Sequence, residues 1–403
     1  MSETKKARRI RHTGRESQVF IYLGKQLRFF INESDWKVLP MAAVIAGLVA
    51  MVIRKKFFVS MEGSLIGGFA LACVAIWNGC FNSIQSVCRE RAIIKREHRS
   101  GMHISAYMAA HMIYQFLLCA AQTALTMFVL RQLDVEIPRG YGSGTITPWM
   151  ICDIGITMFL ISYAADMMSL FLSSVSRTTT GVMTIMPFIL IFQLVFSGGV
   201  IPLPDWSKPI SNFTISSYGI RALAAQSGYN EQPMESVWKT VSGMRNTEIE
   251  GTVTVGELLD KLDSPVMEKR RDTEVINDTT VAEAAELFGV PEEVTREALP
   301  GDSEGGAVTL GNIIDLLKQN RGLQEHRDKT FRMKFTVGEM MDLFGEENVK
   351  TFIQEKTAAA AHKDEYEKTP EKIVGNWLML CLFIALFAVL AMVVLELIDK
   401  DKR

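Results

Sequence analysis

Between Arg91 and Arg99 the chain places Arg91, Lys95, Arg96, Glu97, His98 and Arg99, six ionisable side chains in nine positions. The flanking stretches, Gly63–Cys88 and Gly101–Leu130, contain no Asp, Glu, Lys or Arg. The cluster holds no carboxylate pair and no nucleophile beside a base. Its chemistry is recognition, a charged helix-length segment suited to docking on another protein. A second group is Asn78, Asn82 and Gln85, with Phe81 adjacent. Spacing i, i+4, i+7 puts three amides on one helix face. In an apolar segment such amides line a cavity or bond a neighbouring helix, and both readings stay open. A third feature is Asp166, an acid among Ser162, Tyr163 and Ser169. It could relay a substrate or proton, but a buried pair with Lys25 or Arg28 is the preferred expectation. Asp153 is expected at the interface.

Beyond these, Pro187 should kink its helix, and Phe188, Leu190, Leu194 and Phe196 could form an apolar wall. His98, His103 and His111 lack metal-ligand spacing, and no Ser/His/Asp or Cys/His constellation stands out. The phosphate-cradling pattern G-x-x-x-x-G-K-[ST] finds no match, since the lone Gly-Lys, Gly24-Lys25, precedes Gln26. The chain is therefore expected to be no enzyme, to hold no metal and to carry no cofactor of its own.

The elements that position these residues are apolar runs. A helix needs about 20 apolar residues to cross a hydrocarbon core of roughly 30 Å. Candidates are Val38–Ile53, Leu65–Val87, Ser105–Leu130, Trp149–Val175, Thr178–Ile201 and Ile373–Leu395, the first short and the other five long enough. The expected fold class is thus membrane all-α with six spans. All six cysteines lie in or beside these runs, so no disulfide framework is expected.

Lys and Arg flanking the runs set orientation. The leader before Gln18, the 89–99 segment, Arg177 and the tail Lys400, Lys402, Arg403 fall on one side, taken as cytoplasmic together with both termini. Arg54-Lys55-Lys56 breaks the pattern. The polar block 228–372 then lies outside a bacterial cell membrane. It carries 18 Lys+Arg against 30 Asp+Glu, while the whole chain is −2.

Within that block four phrases recur: "TVGELLD" from Thr254, "TVAEAAELFG" from Thr280, "TLGNIIDLL" from Thr309 and "TVGEMMDLFG" from Thr336. Three open with Thr-x-x-Glu and one with Thr-x-x-Asn, capping-box starts of helices. The first and third are 55 residues apart, the second and fourth 56. The block reads as two copies of a unit, about 252–300 and 307–357, forming an inserted, duplicated α-rich (α+β) domain. The second phrase also looks like the start of a helix-turn-helix, but its follow-on, Pro291–Leu299, has three Glu and one Arg. Nucleic acid is not an expected partner.

Three passages carry a family resemblance. "RERAIIKREHRSGMHISAYMAAHMIYQ" from Arg89 resembles the second-to-third-span junction of ABC type-2 exporters, especially the G subfamily. "FSGGVIPLPDWSKPISNFTISSYGIRAL" from Phe196 resembles that family's fifth-span exit with its re-entrant outer helices. "QVFIYLGKQLRFFINESDW" from Gln18 resembles the amphipathic elbow helix before its first span. The resemblance covers 18–225 and 373–398. It implies a leader and elbow (1–36), a membrane domain (37–227), the inserted block (228–372), and a last span with tail (373–403). It implies that the 91–99 segment is a coupling helix, and that spans two and five line a substrate path. The partners implied are the lipid bilayer, a second permease subunit and an ABC ATPase that binds ATP and Mg. The function implied is export of an apolar or amphipathic substrate. An alternative is a device that transmits ATPase motion to a sensing or protein-binding outer block.

Overall fold

The structure, a computed structural model, describes residues 14–32, 35–199, 201, 203–262, 265–268, 271–272, 274–279, 285–286, 291, 293, 296 and 306–397. The basic leader before Gly14 and most of the phrase from Thr280 lie outside these residues, as do Val200 and Pro202. The described chain is mostly helical. In order come α1 (Arg15–Asn32), α2 (Val38–Ile53), α3 (Met61–Ser83), α4 (Ser86–Arg99), α5 (Ile104–Gln132), α6 (Met150–Val175) and α7 (Thr179–Val195). Next are α8 (Lys208–Ser211), α9 (Ile215–Gln226), α10 (Glu235–Gly243), β1 (Glu248–Thr254), α11 (Val255–Lys261), α12 (Pro265–Glu268) and β2 (Glu274–Thr279). The remainder is β3 (Gly306–Thr309), α13 (Leu310–Gln319), α14 (Arg321–Glu325), β4 (Thr330–Thr336), α15 (Val337–Phe344), α16 (Glu346–Ala361) and α17 (Pro370–Glu396). Two compact units result, one of residues 1–235 with 358–403 and one of 236–357.

In the first unit, four helical segments are long and apolar enough to cross a membrane: Met61–Arg99 (α3 with α4), α5, α6 and α17. The other two apolar helices are shorter, α2 with 16 residues and α7 with 17. The run expected to continue to Ile201 stops at Val195. Past it, Gly198 takes a left-handed φ of 70°, and the Ser197 hydroxyl turns back to the Leu194 carbonyl at 2.8 Å. That conformation suits glycine and ends helices.

Helix α6 is the centre of this unit, packing against α3, α5, α9 and α17. It carries Ala164, Ala165, Ser162 and Ser169 on buried positions, small residues that let backbones approach closely. The tightest approach is at Gly79 of α3, where a Cβ would stand 2.0 Å from the Ser162 carbonyl oxygen. Polar bonds tie the same layer: Trp377 of α17 donates to Thr157 of α6 at 2.8 Å, and Gln226 of α9 donates to the Asp153 carbonyl at 3.1 Å. Asp153 is fully buried. Its carboxylate accepts the backbone N–H groups of Thr145, Ile146 and Thr147 at 2.7–2.9 Å, fastening the loop that enters α6.

In the second unit the strands that lead into the phrases combine as first with fourth and second with third. Strand β1 runs antiparallel to β4, from Glu248↔Thr336 to Thr254↔Thr330, and β2 runs antiparallel to β3. Strands β1, β3 and β4 lead straight into the helices that the phrases start. A repeated latch holds them. Gly338 donates its N–H to the Arg245 carbonyl, while the Arg245 guanidinium reaches Asp342, four residues past that glycine. Arg327 does the same to Gly256 and Asp260, and Arg271 to Gly311 and Asp315. The first and fourth phrases thus grip each other reciprocally. Capping boxes form at Thr309 with Asn312 and at Thr336 with Glu339, as their spacing predicts.

Two outcomes test these contacts. Gly79→Val meets backbone rather than a movable side chain, so it should cost at least the roughly 1–3 kcal/mol of overpacking, read as a lower thermal midpoint. Gly79→Ala should be milder. Hydrogen bonds from the Thr336 backbone and side chain hold the Glu339 carboxyl below its usual value. Its contribution to α15 is therefore present above the unfolded value of about 4.3 and fades as pH falls through the lower folded value. Glu339→Gln should flatten that pH dependence in amide exchange at the start of α15.

Candidate functional site

Helix α4 follows α3 after a two-residue turn at Ile84–Gln85, and such a break leaves backbone groups without intrahelical partners. Helix α6 satisfies them. The Ser173 hydroxyl accepts the N–H groups of Val87 and Cys88, both at 3.1 Å. In return Arg91 donates to the Ser174 and Ser176 carbonyls at the end of α6, at 2.7 and 3.2 Å. The start of α4 and the end of α6 cap each other.

The same geometry sorts the charged cluster. Arg91 faces α6. Glu97 accepts from the Tyr22 hydroxyl of α1 at 3.0 Å, and burial together with Glu97 raises the Tyr22 phenol above its ordinary value. His98 contacts the Met102 carbonyl through Nδ1 at 3.1 Å, and Lys95 is half-buried. Exposed on α4 are Arg89, Ala92, Ile93, Arg96 and Arg99, a stripe at helical spacing. Arg96 and Arg99 were read from the sequence. Arg89 and Ile93 were missed, although three- and four-residue steps through them would have found the stripe.

Helix α1 grips α4 and α5 with its polar face. Lys25 pairs with Glu90 at 2.9 Å, and the Glu90 side chain is only 7% exposed. The Gln18 amide donates to the Gly101 carbonyl at 3.3 Å and accepts from the His103 N–H at 2.9 Å, bracing the turn between α4 and α5. Gln26 hydrogen-bonds His111 at 2.9 Å. Its other face leaves Phe20, Ile21, Leu27 and Ile31 exposed, as an interfacial helix requires. This overturns the expected pairing of Asp166 with Lys25 or Arg28. Lys25 is taken by Glu90, an acid on α4 that the sequence reading passed over, and the Asp166 carboxylate has no ion-pair partner among the described residues.

Asp166 is fully buried and accepts from the Ser83 hydroxyl at 2.5 Å, at the end of α3. Its second carboxyl oxygen has no hydrogen-bond partner among the described residues. The three amides separate. Asn78 is buried, Asn82 exchanges two bonds with Gln122 of α5 at 2.8 and 3.1 Å, and Gln85 is exposed. They separate because the helix breaks at Ile84–Gln85, which leaves Gln85 at the head of α4. A pocket of 230 Å³ lies there, lined by Phe81, Asn82, Gln85, Arg89, Leu118 and Met183 among others. It is apolar on one flank and polar on the other, and it offers binding rather than bond chemistry. The wall expected on α7 splits: Leu190 is buried, Leu194 and Phe196 half-buried, and Phe188 is 71% exposed. Residues two apart in a helix point about 200° apart, so Phe188 and Leu190 cannot share a face. Among the described residues no cluster of His, Cys, Asp or Glu could hold a metal.

The clasp predicts a charge effect. Lys25→Gln leaves Glu90 buried without its partner and should destabilise the protein by about 2–4 kcal/mol, seen as a lower thermal midpoint in detergent. Adding Glu90→Gln should recover most of the loss.

The family model for the ABC-2 type transporter matches residues 19–226, just over half of the 403 residues. That span takes in nearly all of α1 and everything through α9. A curated relative, an ABC transporter ATP-binding/permease protein of Mycobacterium tuberculosis, is 28% identical over 130 residues. The match covers 32% of this chain and 15% of that protein's length. With this match over half of its length and several apolar helices of spanning length, the chain is a membrane permease component and belongs to the ABC-2 type transporter family.

Proposed function

We propose that this chain is the membrane subunit of an ABC exporter that moves an apolar or amphipathic substrate outward, driven by an ATPase carried outside these 403 residues. The observation that carries the reading is the union of α4 with α3 and α6. A push on the exposed stripe Arg89, Ile93, Arg96 and Arg99 reaches α3 through two residues and α6 through the mutual caps. The ATPase binds ATP and Mg and docks on that stripe, where three guanidiniums favour an acidic groove. Closure of the ATPase shifts α3 against α6 and alternately opens the path. The pocket at Gln85 is the inner mouth of that path, with α7 as its second wall. Substrate enters with its polar part toward Asn82 and Arg89 and its apolar part toward Phe81, Leu118 and Met183.

In this reading the chain makes six passes, with α2 and α7 completing theirs through flanking loops, and works beside a second permease subunit. The charge asymmetry supports cytoplasmic termini and an outer 228–372 block. That block is an accessory domain.

The test is assembly and turnover. Arg96→Glu with Arg99→Glu should weaken ATPase association about tenfold, about 1.4 kcal/mol, with loss of substrate-stimulated hydrolysis and normal membrane insertion. Full stimulation in this variant would remove α4 as the docking element. If stimulation follows addition of an envelope protein rather than any amphiphile, the chain transmits force instead of cargo.

A further inference from the structure

Arg54-Lys55-Lys56 sits at the end of the helices opposite α4, where the rule for basic flanks gives it no place. The structure gathers more cations there. Helix α5 ends at Gln132, and Asp134 then takes a positive φ of 50°. The following loop alternates, with Val135 and Ile137 buried and Asp134, Glu136 and Arg139 exposed. Two adjoining hollows share Val135, Ile137 and Arg139 as their wall. One, of 180 Å³, adds Arg131, Pro138, Trp149 and Ile151. The other, of 360 Å³, adds Arg54, Lys55, Asp134 and Glu136. Four cations thus face two carboxylates. Asp134 engages Arg139 at 2.9 Å and Arg54 more loosely at 3.8 Å. Arg131 and Lys55 have no carboxylate partner among the described residues.

Charge alone would mark a solvated surface, but the surroundings are apolar. Trp149 stands half exposed on the rim, and the paired faces of α2 and α5 lead away from it through Leu48, Met51, Val52 and Phe128, each more than half exposed. Pockets that enclose a whole drug-sized ligand run to roughly 300–1,000 Å³; the hollow beside Trp149 is smaller than that and suits a headgroup with its tails outside. Guanidiniums hold phosphate oxygens bidentately, indole favours the level of lipid headgroups, and the α2–α5 face offers a track for acyl chains.

We propose that this end of the membrane domain is a binding site for an acidic phospholipid, with Arg131 and Arg139 on the phosphate, Lys55 and Arg54 beside it, and Trp149 at the glycerol level. The site is separate from the pocket at Gln85, and it stands whether or not that pocket carries substrate. It gives the out-of-place basic run a role as a lipid anchor.

The experiment titrates the full chain, purified in neutral detergent, with phosphatidylglycerol, with phosphatidylcholine and with glycerol phosphate alone, reading bound lipid by native mass spectrometry. Phosphatidylglycerol should bind at least about tenfold more tightly than phosphatidylcholine, and glycerol phosphate should neither bind comparably nor compete. Arg131→Gln with Arg139→Gln should abolish the preference, whereas Lys208→Gln, at another place, should leave it unchanged. Asp134→Asn tolerates the positive φ and removes a competing carboxylate, so it should strengthen phosphatidylglycerol binding several-fold. Equal affinity for the two lipids overturns the proposal, as does a preference that survives the double substitution or an Asp134→Asn variant that binds no better. Tight binding of glycerol phosphate would make the ligand a soluble phosphate and overturn the lipid assignment.

Discussion

A backbone that breaks inside an apolar bundle must find new partners for its freed N–H and C=O groups, because no water is there to take them. The turn at Ile84–Gln85 is such a break, and the way it is satisfied organises the first unit. Ser173 takes two N–H groups from the start of α4, and Arg91 takes two carbonyls from the end of α6. Each helix terminus is completed by the other, so neither can move alone without exposing unpaired polar backbone. The close crossing at Gly79 and the Ser83–Asp166 bond extend the same contact inward along α3 and α6.

Helix α1 adds a second constraint. Lys25, Gln18 and Tyr22 grip α4 and the turn after it, while the opposite face of α1 stays apolar and exposed. Helix α4 is thereby held on three sides: by α1, by α6 and by its own continuity with α3. What remains outward is a narrow basic stripe.

The second unit solves a different problem. Units of this size bury little surface alone, and here the first, third and fourth phrases each rely on an arginine distant in sequence. Arg245 with Asp342 and Arg327 with Asp260 form a reciprocal pair, and Arg271 with Asp315 is a third instance. These exposed ion pairs contribute modestly on their own. Joined to the glycine N–H bonds and antiparallel strands, they set which phrase meets which.

The sequence by itself determined the apolar runs, the capping boxes and the repeated phrases, because these depend on composition and short-range spacing. The family was legible for the same reason. Only the tertiary structure decided the partners. Nothing local shows that Lys25 meets Glu90, that Asp166 meets Ser83, or that Arg91 turns toward α6, since these pairs lie 65 to 83 residues apart. The pairing of first phrase with fourth is equally invisible, because identical spacing is compatible with either arrangement. Where the reading of α7 failed, the cause was angular: Phe188 and Leu190 are neighbours in sequence but lie on opposite sides of a helix, and only packing shows which side faces inward.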